Sequence, residues 1–398
     1  MKASSLFRIA SATAMLLILL ASLSGAQEQV PRLEYADPIA GFSMTIPEDW
    51  EVMWGDLGQV MISIDAGVGV PTAAVYPVIW FWRAKKPAEE LARWLAEVLT
   101  KLDAATPKVT GAGDEWVVEL TAAGSRGPLW ERWVVRSQDG QSYLVGALCK
   151  PQYLESFQED LDTALATCRL IPRVPLQRFL EPTENAYRMV FPEGWEWDGR
   201  IIRAEGVPGY FEWKAQSGDK SRGAFSAPPA VLNIMTPYLP AAQAARDLVL
   251  PALQQQYGDV KLEAVHELPR VGAYFAGVIK AVGIGNNPHV DKVRADYLVT
   301  MDGTRVRARL SIGTFMLEAS PLLGGRGDWF LTTNGAWAPV ATFDRDYPIG
   351  RGVIPSIMTD EEWRSNQFEA TNEVALWRAW NRELQHWNFM LYLWGPFD

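Results

Sequence analysis

The spacing of apolar side chains predicts both strands and helices in this chain. Continuous or alternating apolar runs that are typical of strands occupy residues 60–64 and 74–82. A helix is predicted directly after them, because Pro87 suits its first turn and the apolar residues that follow lie on one face. These residues have i, i+3, i+4, i+7, i+8 and i+11 spacing: Leu91, Trp94, Leu95, Val98, Leu99 and Leu102.

A similar series of elements is predicted later in the chain. Strand-like runs occupy residues 210–214 and 231–236, and a helical pattern extends over residues 240–257. Pro251 lies inside this helical pattern, where a missing N–H interrupts the hydrogen-bond ladder. We therefore predict a kink or a split in this helix.

A short sequence motif stands at the start of each series. Residues 42–52 read FSMTIPEDWEV and residues 187–197 read YRMVFPEGWEW, at a constant offset of 145 positions. The identical residues are Met44, Pro47, Glu48, Trp50 and Glu51 in the first copy, and Met189, Pro192, Glu193, Trp195 and Glu196 in the second. Each copy predicts a strand that ends at proline and a turn that places a tryptophan. The repetition indicates that the chain contains one module twice.

Each predicted module also contains an Asp-Gly dipeptide between two strand-like runs. The first joins residues 130–136 to 142–148, and the second joins 293–301 to 304–312. The offset between the two hairpins is 163, so the second module is predicted to carry about 18 extra residues between motif and hairpin. Strand, strand, helix, hairpin and helix, repeated once, predict an α+β fold with antiparallel sheets.

Prolines in the stretch 171–181 mark the boundary between the modules, which we place at residues 33–172 and 178–358. Residues 359–398 belong to neither module and begin with a capping box formed by Thr359 and Glu362. Six residues of this tail follow a heptad-like spacing that predicts one apolar seam of a helix: Trp377, Trp380, Leu384, Trp387, Leu391 and Trp394. The seam can dock onto its own modules, bind another protein or a second copy of the chain, or lie at a membrane surface; docking is favoured.

The motif and the order of elements resemble the PsbP-like fold, which is shared with the Mog-type Ran-release factors. The matching positions are Phe42, Met44, Ile46, Pro47 and Trp50, and again Tyr187, Met189, Phe191, Pro192 and Trp195. The resemblance implies two α/β/α sandwiches in tandem and a binding, assembly or stabilising role rather than catalysis. It implies no ligand residues, because no functional motif of the family stands in this sequence.

The first 26 residues have the pattern of a secretory signal peptide. Lys2 and Arg8 precede the apolar stretch 14–23, and small residues at 24–26 offer a cleavage site. We therefore expect an exported protein, periplasmic or extracellular, with no transmembrane span in the mature chain. Cleavage removes two positive charges and no negative one, so the formal net charge falls from −10 to −12. Such a charge argues against nucleic acid as a partner.

The sequence shows no pattern that assigns catalysis, a metal or a cofactor. Its three histidines, His266, His289 and His386, lack metal-ligand spacing. Cys149 and Cys168 can form a disulfide in an oxidising compartment, but a predicted helix separates them by roughly 20 Å, far more than a disulfide spans. The sequence leaves that disulfide open.

The repeated acids have two readings. Glu48 and Glu51, with Glu193 and Glu196, can form a ligand site that was duplicated with the fold, or they can simply belong to a turn whose tryptophan covers the core. The second reading is favoured. For the whole protein, we expect a non-enzymatic binding, assembly or stabilising protein of the cell envelope, with a partner or a second copy bound through the tail. The alternatives are an enzyme or small-ligand binder with a site in the cleft between the modules, and a purely structural part of a larger envelope assembly.

Overall fold

The computed structural model describes residues 30–363, except 55–59, 64–76, 104, 125–126, 205–206, 233–236, 274–275, 277–287, 317–328 and 361–362. Helices and antiparallel sheets are mixed throughout this part of the chain, so the protein has an α+β fold, as the sequence predicts. The proposed signal peptide and the tryptophan-rich tail from Trp377 to Trp394 lie outside the described residues. None of the described helices is both long and apolar enough to cross a bilayer.

The first half of the chain forms a three-stranded and a seven-stranded sheet, in the orders β1-β2-β10 and β3-β4-β5-β9-β8-β7-β6. Its strands are β1 (Arg32–Asp37), β2 (Phe42–Pro47), β3 (Glu51–Trp54), β4 (Val60–Ser63), β5 (Val78–Ala84), β6 (Lys108–Ala112), β7 (Glu115–Gly124), β8 (Gly127–Gln138), β9 (Gln141–Cys149) and β10 (Arg169–Leu170). Its helices are α1 (Ala88–Asp103) and α2 (Pro151–Thr167).

The second half forms a three-stranded sheet in the order β11-β12-β21 and a larger sheet in the order β13-β14-β15-β20-β19-β18-β17, with β16 also paired to β20. Its strands are β11 (Leu176–Leu180), β12 (Tyr187–Pro192), β13 (Trp195–Ala204), β14 (Val207–Ser217), β15 (Gly223–Ser226), β16 (Ala230–Leu232), β17 (Val260–Glu267), β18 (His289–Met301), β19 (Thr304–Met316), β20 (Trp329–Pro339) and β21 (Met358–Thr359). Its helices are α3 (Ala241–Ala244), α4 (Leu250–Tyr257) and α5 (Phe343–Val353), and the π-helical turn Ala245–Val249 joins α3 to α4.

The two halves have the same strand order, and this order corrects one expectation from the sequence. Both Asp-Gly hairpins are present, with positive φ at both turn residues, as a type I′ turn requires. The first turn joins β8 to β9, which correspond to β19 and β20, whereas the second joins β18 to β19, which correspond to β7 and β8. The hairpins are therefore not equivalent, and the 18-residue insertion deduced from them is wrong. An Asp-Gly turn indicates that the two strands beside it pair with each other. It does not indicate which two strands of the shared strand order they are.

Helices cover both faces of the large sheet in the first half. The apolar stripe of α1 packs through Leu91, Leu95 and Leu99 against one face. Helix α2 packs through Leu161 and Leu165 against the other face, together with the three-stranded sheet. Strand β9 contributes side chains to both interfaces, because successive side chains of a strand point to opposite faces of its sheet. This layering agrees with the sandwich that the resemblance implies.

The second half repeats this layering with changes at its helices. The segment α3–α4 packs through Ala241, Ala245 and Val249 against one face of the large sheet. The π-helical turn ends directly before Leu250, so the helix is interrupted beside Pro251 as predicted. Helix α5 covers part of the opposite face and, with 11 residues, is shorter than the 17-residue α2.

The halves exchange apolar side chains across their boundary. Ile39 of the first half lies fully buried in the second half's core. Leu268 and Val271 of the second half lie in the first half's core. The core of each half therefore contains apolar side chains of the other.

The predicted capping box after residue 358 is displaced by one position. Thr359 ends strand β21, and the carboxylate of Asp360 accepts the backbone N–H of Trp363 at 2.8 Å. Thr359 as the cap is therefore wrong, because its backbone is used to pair with Tyr187. Asp is as good a capping residue as Thr, so the sequence alone could not separate them.

Candidate functional site

A cavity of about 170 Å³ lies where the two halves meet. The strands β18, β19 and β20 form its floor (Lys292, Arg294, Ser311 and Asn334), and β1 and the helix α5 form its roof (Tyr35 and Arg351). Four apolar side chains also line the cavity, namely Trp50, Leu268, Ile354 and Pro355. Both halves thus contribute to one site.

The register of three strands aligns polar side chains on the floor. Arg294 pairs with Ser311 across β18 and β19, and Ser311 pairs with Asn334 across β19 and β20. Paired residues on one face have Cβ atoms about 5 Å apart, so the three side chains form a continuous row. Their strand neighbours Val293 and Ile312 face the opposite side and pack in the apolar core.

The same face of the sheet has a different character in the first half. There the strands β7, β8 and β9 present Val117, Trp130, Val134 and Val145 to an apolar core beneath α2. The same face of β8 also carries Arg132 and Arg136, which are bound to Asp162 and Glu115. Paired arginines therefore occur on this face in both halves, but in the first half they lie beside an apolar core rather than a cavity.

Two arginines of the site are held by carboxylates. Arg294 donates to the Glu48 carboxylate at 2.8 Å and to the Glu48 carbonyl oxygen at 2.6 Å. Arg309 donates twice to Asp296, at 2.7 and 2.8 Å, and its guanidinium carbon lies 5.3 Å from the Tyr347 ring. These contacts fix the guanidinium groups beside the cavity.

Asp49 also lines the cavity, but its charge is balanced by Arg270. The Arg270 guanidinium donates to both Asp49 oxygens, at 2.5 and 2.7 Å, and joins the second half to the first. Asp49 is only 4% exposed. This ion pair therefore forms part of the interface rather than an acidic wall.

Arg351 is the cation that defines the roof. Its guanidinium carbon lies 4.2 Å from the centre of the Tyr35 ring, a cation–π contact. Within the described ranges it forms no ion pair with a carboxylate. Burial, followed by the positive charge of Arg351, lowers the pKa of Arg294. The two guanidinium groups thus repel each other across the cavity.

Charge around the cavity is positive although the chain is acidic. Among the residues that line the cavity, Lys292, Arg294, Arg309 and Arg351 are basic and Asp49 is acidic. The whole chain has a formal net charge of −10. The cavity is therefore a local positive site that attracts anions.

Lys292 gives the floor a titratable group near neutral pH. Burial, and secondarily the charge of Arg294, lower the pKa of its ammonium to about 7. An ammonium in water has a pKa near 10.4, so the unfolded chain holds this proton more tightly than the folded one. Between these two values, stability rises with pH, because only the unfolded state is protonated there.

We therefore expect Lys292 to destabilise the protein below pH 7. Relative to Lys292→Met, which does not titrate, the wild-type free energy of unfolding should increase by about 2 kcal/mol from pH 6.5 to pH 8.5, at about 1.4 kcal/mol per pKa unit. Urea unfolding of both proteins at the two pH values measures this change. A constant difference between wild type and variant would contradict the lowered pKa.

The structure places the repeated motif residues in unlike surroundings. Pro47 ends β2 and Pro192 ends β12, as predicted for both prolines. Trp50 is 1% exposed and also lines the cavity, whereas Trp195 is half-buried at the edge of the second core.

The repeated acids also differ between the copies. Glu48 binds Arg294, while Glu193 and Glu196 are exposed. The side chain of Glu51 is not among those described. Among the repeated acids whose side chains are described, the two copies therefore do not share one set of partners, and Glu48 alone contacts a residue of the cavity.

The disulfide that the sequence left open is not present. Cys149 and Cys168 are free thiols, both buried in the first core. They lie at opposite ends of the 17-residue helix α2, which is about 25 Å long at 1.5 Å per residue. Burial raises the pKa of each thiol to about 12, which makes both unreactive as nucleophiles.

Other candidate residues do not meet at a site. His266 and His289 are exposed on the neighbouring strands β17 and β18, where His266 pairs with Arg294, five positions along β18 from His289, and His386 lies outside the described residues. Among the residues that the structure describes, no group of three or more His, Cys, Asp and Glu side chains can hold a metal ion. The tail residues Trp377, Trp380, Leu384, Trp387, Leu391 and Trp394 are likewise outside the described part.

No protein-family model matches this chain, and no curated protein matches its sequence. Among solved structures, the cyanobacterial PsbP protein CyanoP from Synechocystis sp. PCC 6803 is similar, with 12% identity and a TM-score of 0.23 over 47% of this chain and 94% of CyanoP. The immunity protein TplEi of the T6SS from Pseudomonas aeruginosa is 8% identical, with a TM-score of 0.21 over 83% of this chain and 98% of TplEi. Both likenesses are weak and concern the fold alone.

Proposed function

We propose that this protein is an exported binding protein that holds a small anionic ligand between two PsbP-like modules. The observation that carries the proposal is the meeting of Lys292, Arg294 and Arg351 at one cavity in an acidic chain. Of the functions that the sequence left open, this geometry favours small-ligand binding in the cleft over a purely structural role. The signal-like residues 1–26 support export.

Three physical arguments support binding at this place. The cations repel one another, so an anion between them removes an unfavourable interaction. The floor residues stand on strands, which hold them more rigidly than loops would. The cavity is walled by both modules, and such sites between domains are common places for ligands. The proposal assigns no reaction to the site.

Replacing Arg351 with Gln is expected to weaken the binding of the multiply charged anions succinate, sulfate and phosphate at least tenfold, because the new side chain is shorter than arginine and lacks its charge. Binding can be followed as the rise in melting temperature with acetate, succinate, sulfate or phosphate at constant ionic strength, since a ligand that binds only the folded state stabilises it. At least one of these anions should stabilise the wild-type protein more than chloride does.

Arg200→Gln is the matched control, because Arg200 is 72% exposed in its side chain and pairs with Glu212 away from the cavity. This variant should respond to anions as the wild type does. If none of the four anions stabilises the wild-type protein, or if Arg351→Gln responds to succinate, sulfate and phosphate as the wild type does, the proposed function is wrong.

A further inference from the structure

The cations of the cavity belong to two opposite walls. Lys292 and Arg294 rise from strand β18 in the floor, whereas Arg351 comes from helix α5 in the roof. Resting on the proposed function, we infer that the ligand is a short-chain dicarboxylate of about four to six carbons, with one carboxylate at the floor and the other at the roof. The chemistry of each wall and of the rest of the cavity lining leads to this ligand class.

The floor offers several kinds of donor to one carboxylate. Arg294 uses one N–H of each terminal nitrogen toward Glu48, and a guanidinium has five N–H donors, so it retains further capacity. The Ser311 hydroxyl and the Asn334 amide stand next in the same row. A carboxylate has two oxygens with about four acceptor positions, so it can engage this row at several points.

The roof offers one guanidinium that is already oriented. The guanidinium carbon of Arg351 lies over the Tyr35 ring, 4.2 Å from its centre. The N–H groups lie in the plane of that guanidinium, and their fork matches the two oxygens of a carboxylate. The cation–π contact holds the group without a hydrogen bond to an oxygen acceptor.

The rest of the cavity lining is suited to a hydrocarbon chain. Trp50, Leu268, Ile354 and Pro355 give it an apolar surface. Inorganic phosphate or sulfate would leave this surface without a partner, whereas the methylene groups of a dicarboxylate would bury against it. The apolar lining thus separates a dicarboxylate from a simple oxyanion.

The volume limits the length of the chain. A cavity of about 150 Å³ holds benzene, with six non-hydrogen atoms, when it is entirely apolar. The present cavity has about 170 Å³ and is partly open. Succinate has eight non-hydrogen atoms and adipate has ten, so dicarboxylates of this range suit its size.

The test compares acids that differ by one carboxylate. The full chain is titrated calorimetrically with succinate, glutarate and adipate, with the monoacids butyrate, pentanoate and hexanoate as matched controls, and with inorganic phosphate, all at constant ionic strength. We expect at least one dicarboxylate to bind tenfold or more tightly than the monoacid of equal length and than phosphate. Arg351→Gln should reduce that dicarboxylate affinity tenfold and leave the monoacid affinity within about twofold.

Ser311→Ala provides a second variant that removes only one hydroxyl and should weaken both kinds of acid by a similar factor of about three to ten. Circular dichroism of each variant verifies that it is folded. Equal binding of mono- and dicarboxylates, or tighter binding of phosphate, would overturn the dicarboxylate inference and leave anion binding in place. Failure of every acid and of phosphate to bind would overturn the proposed function itself.

Discussion

Replacing Asp49 with Ala is expected to lower the free energy of unfolding by about 2 to 4 kcal/mol. Asp49 is 4% exposed and accepts two hydrogen bonds from Arg270 across the boundary between the halves. Its removal leaves the Arg270 guanidinium without its carboxylate beside the ring of Phe157. Breaking a buried ion pair in this way costs about 3 to 5 kcal/mol, and Arg270 retains 27% of its side-chain exposure, which reduces the effect.

Urea unfolding followed by circular dichroism measures this loss. Glu212→Ala is the matched control, because its pair with Arg200 is exposed on both sides and should contribute less than about 1 kcal/mol. The double variant Asp49→Ala/Arg270→Ala should recover part of the loss, since it leaves no unpaired charge. Equal losses for Asp49→Ala and Glu212→Ala would show that the Asp49–Arg270 pair does not fix the interface.

Much of the fold follows from local pattern alone. The stripe that includes Leu91, Leu95 and Leu99 packs as predicted, because helical spacing and burial reinforce each other there. The Asp-Gly turns are also found where predicted, since a type I′ turn depends on its own two residues. What failed was the equivalence of the two hairpins, which depends on pairing between distant strands and leaves no mark on the turn.

The cavity was not predictable in the same way. Lys292 and Arg294 alternate with apolar residues on β18, and Arg307 and Arg309 do so on β19. This pattern is typical of a sheet with one face in water. Only the packing of the first half and of α5 against that face turns it into a site, and such packing joins residues more than two hundred positions apart. The sequence did point to Glu48, but as part of a repeat and not as a partner of Arg294.

The two halves differ at the face of the large sheet where the cavity lies, so only one copy of the repeat carries the candidate site. In the first half, one face of the large sheet packs Trp130, Val134 and Val145 beneath α2, and Arg136 on that face is paired with Glu115. In the second half the corresponding face carries Arg294 and Ser311 beneath the shorter α5. Because α5 is shorter than α2, it leaves part of this sheet face uncovered, and residues of the first half cover that part from the other side. A site can therefore arise in one copy while the other keeps its core intact.

The same asymmetry leads us to expect a much larger effect from Trp50→Ala than from Trp195→Ala. Trp50 is 1% exposed, meets the Phe157 ring edge-on at 6.4 Å and lines the cavity, so its removal opens a void and should cost about 3 to 5 kcal/mol. Trp195 is half-buried, and its loss should cost about 1 to 2 kcal/mol because less apolar surface is withdrawn from water. Urea unfolding followed by circular dichroism at 222 nm measures both losses. Trp50→Phe, which keeps an aromatic ring in the core, should lie between wild type and Trp50→Ala. Equal losses at the two tryptophans would mean that the copies of the motif have equivalent surroundings, contrary to the packing described here.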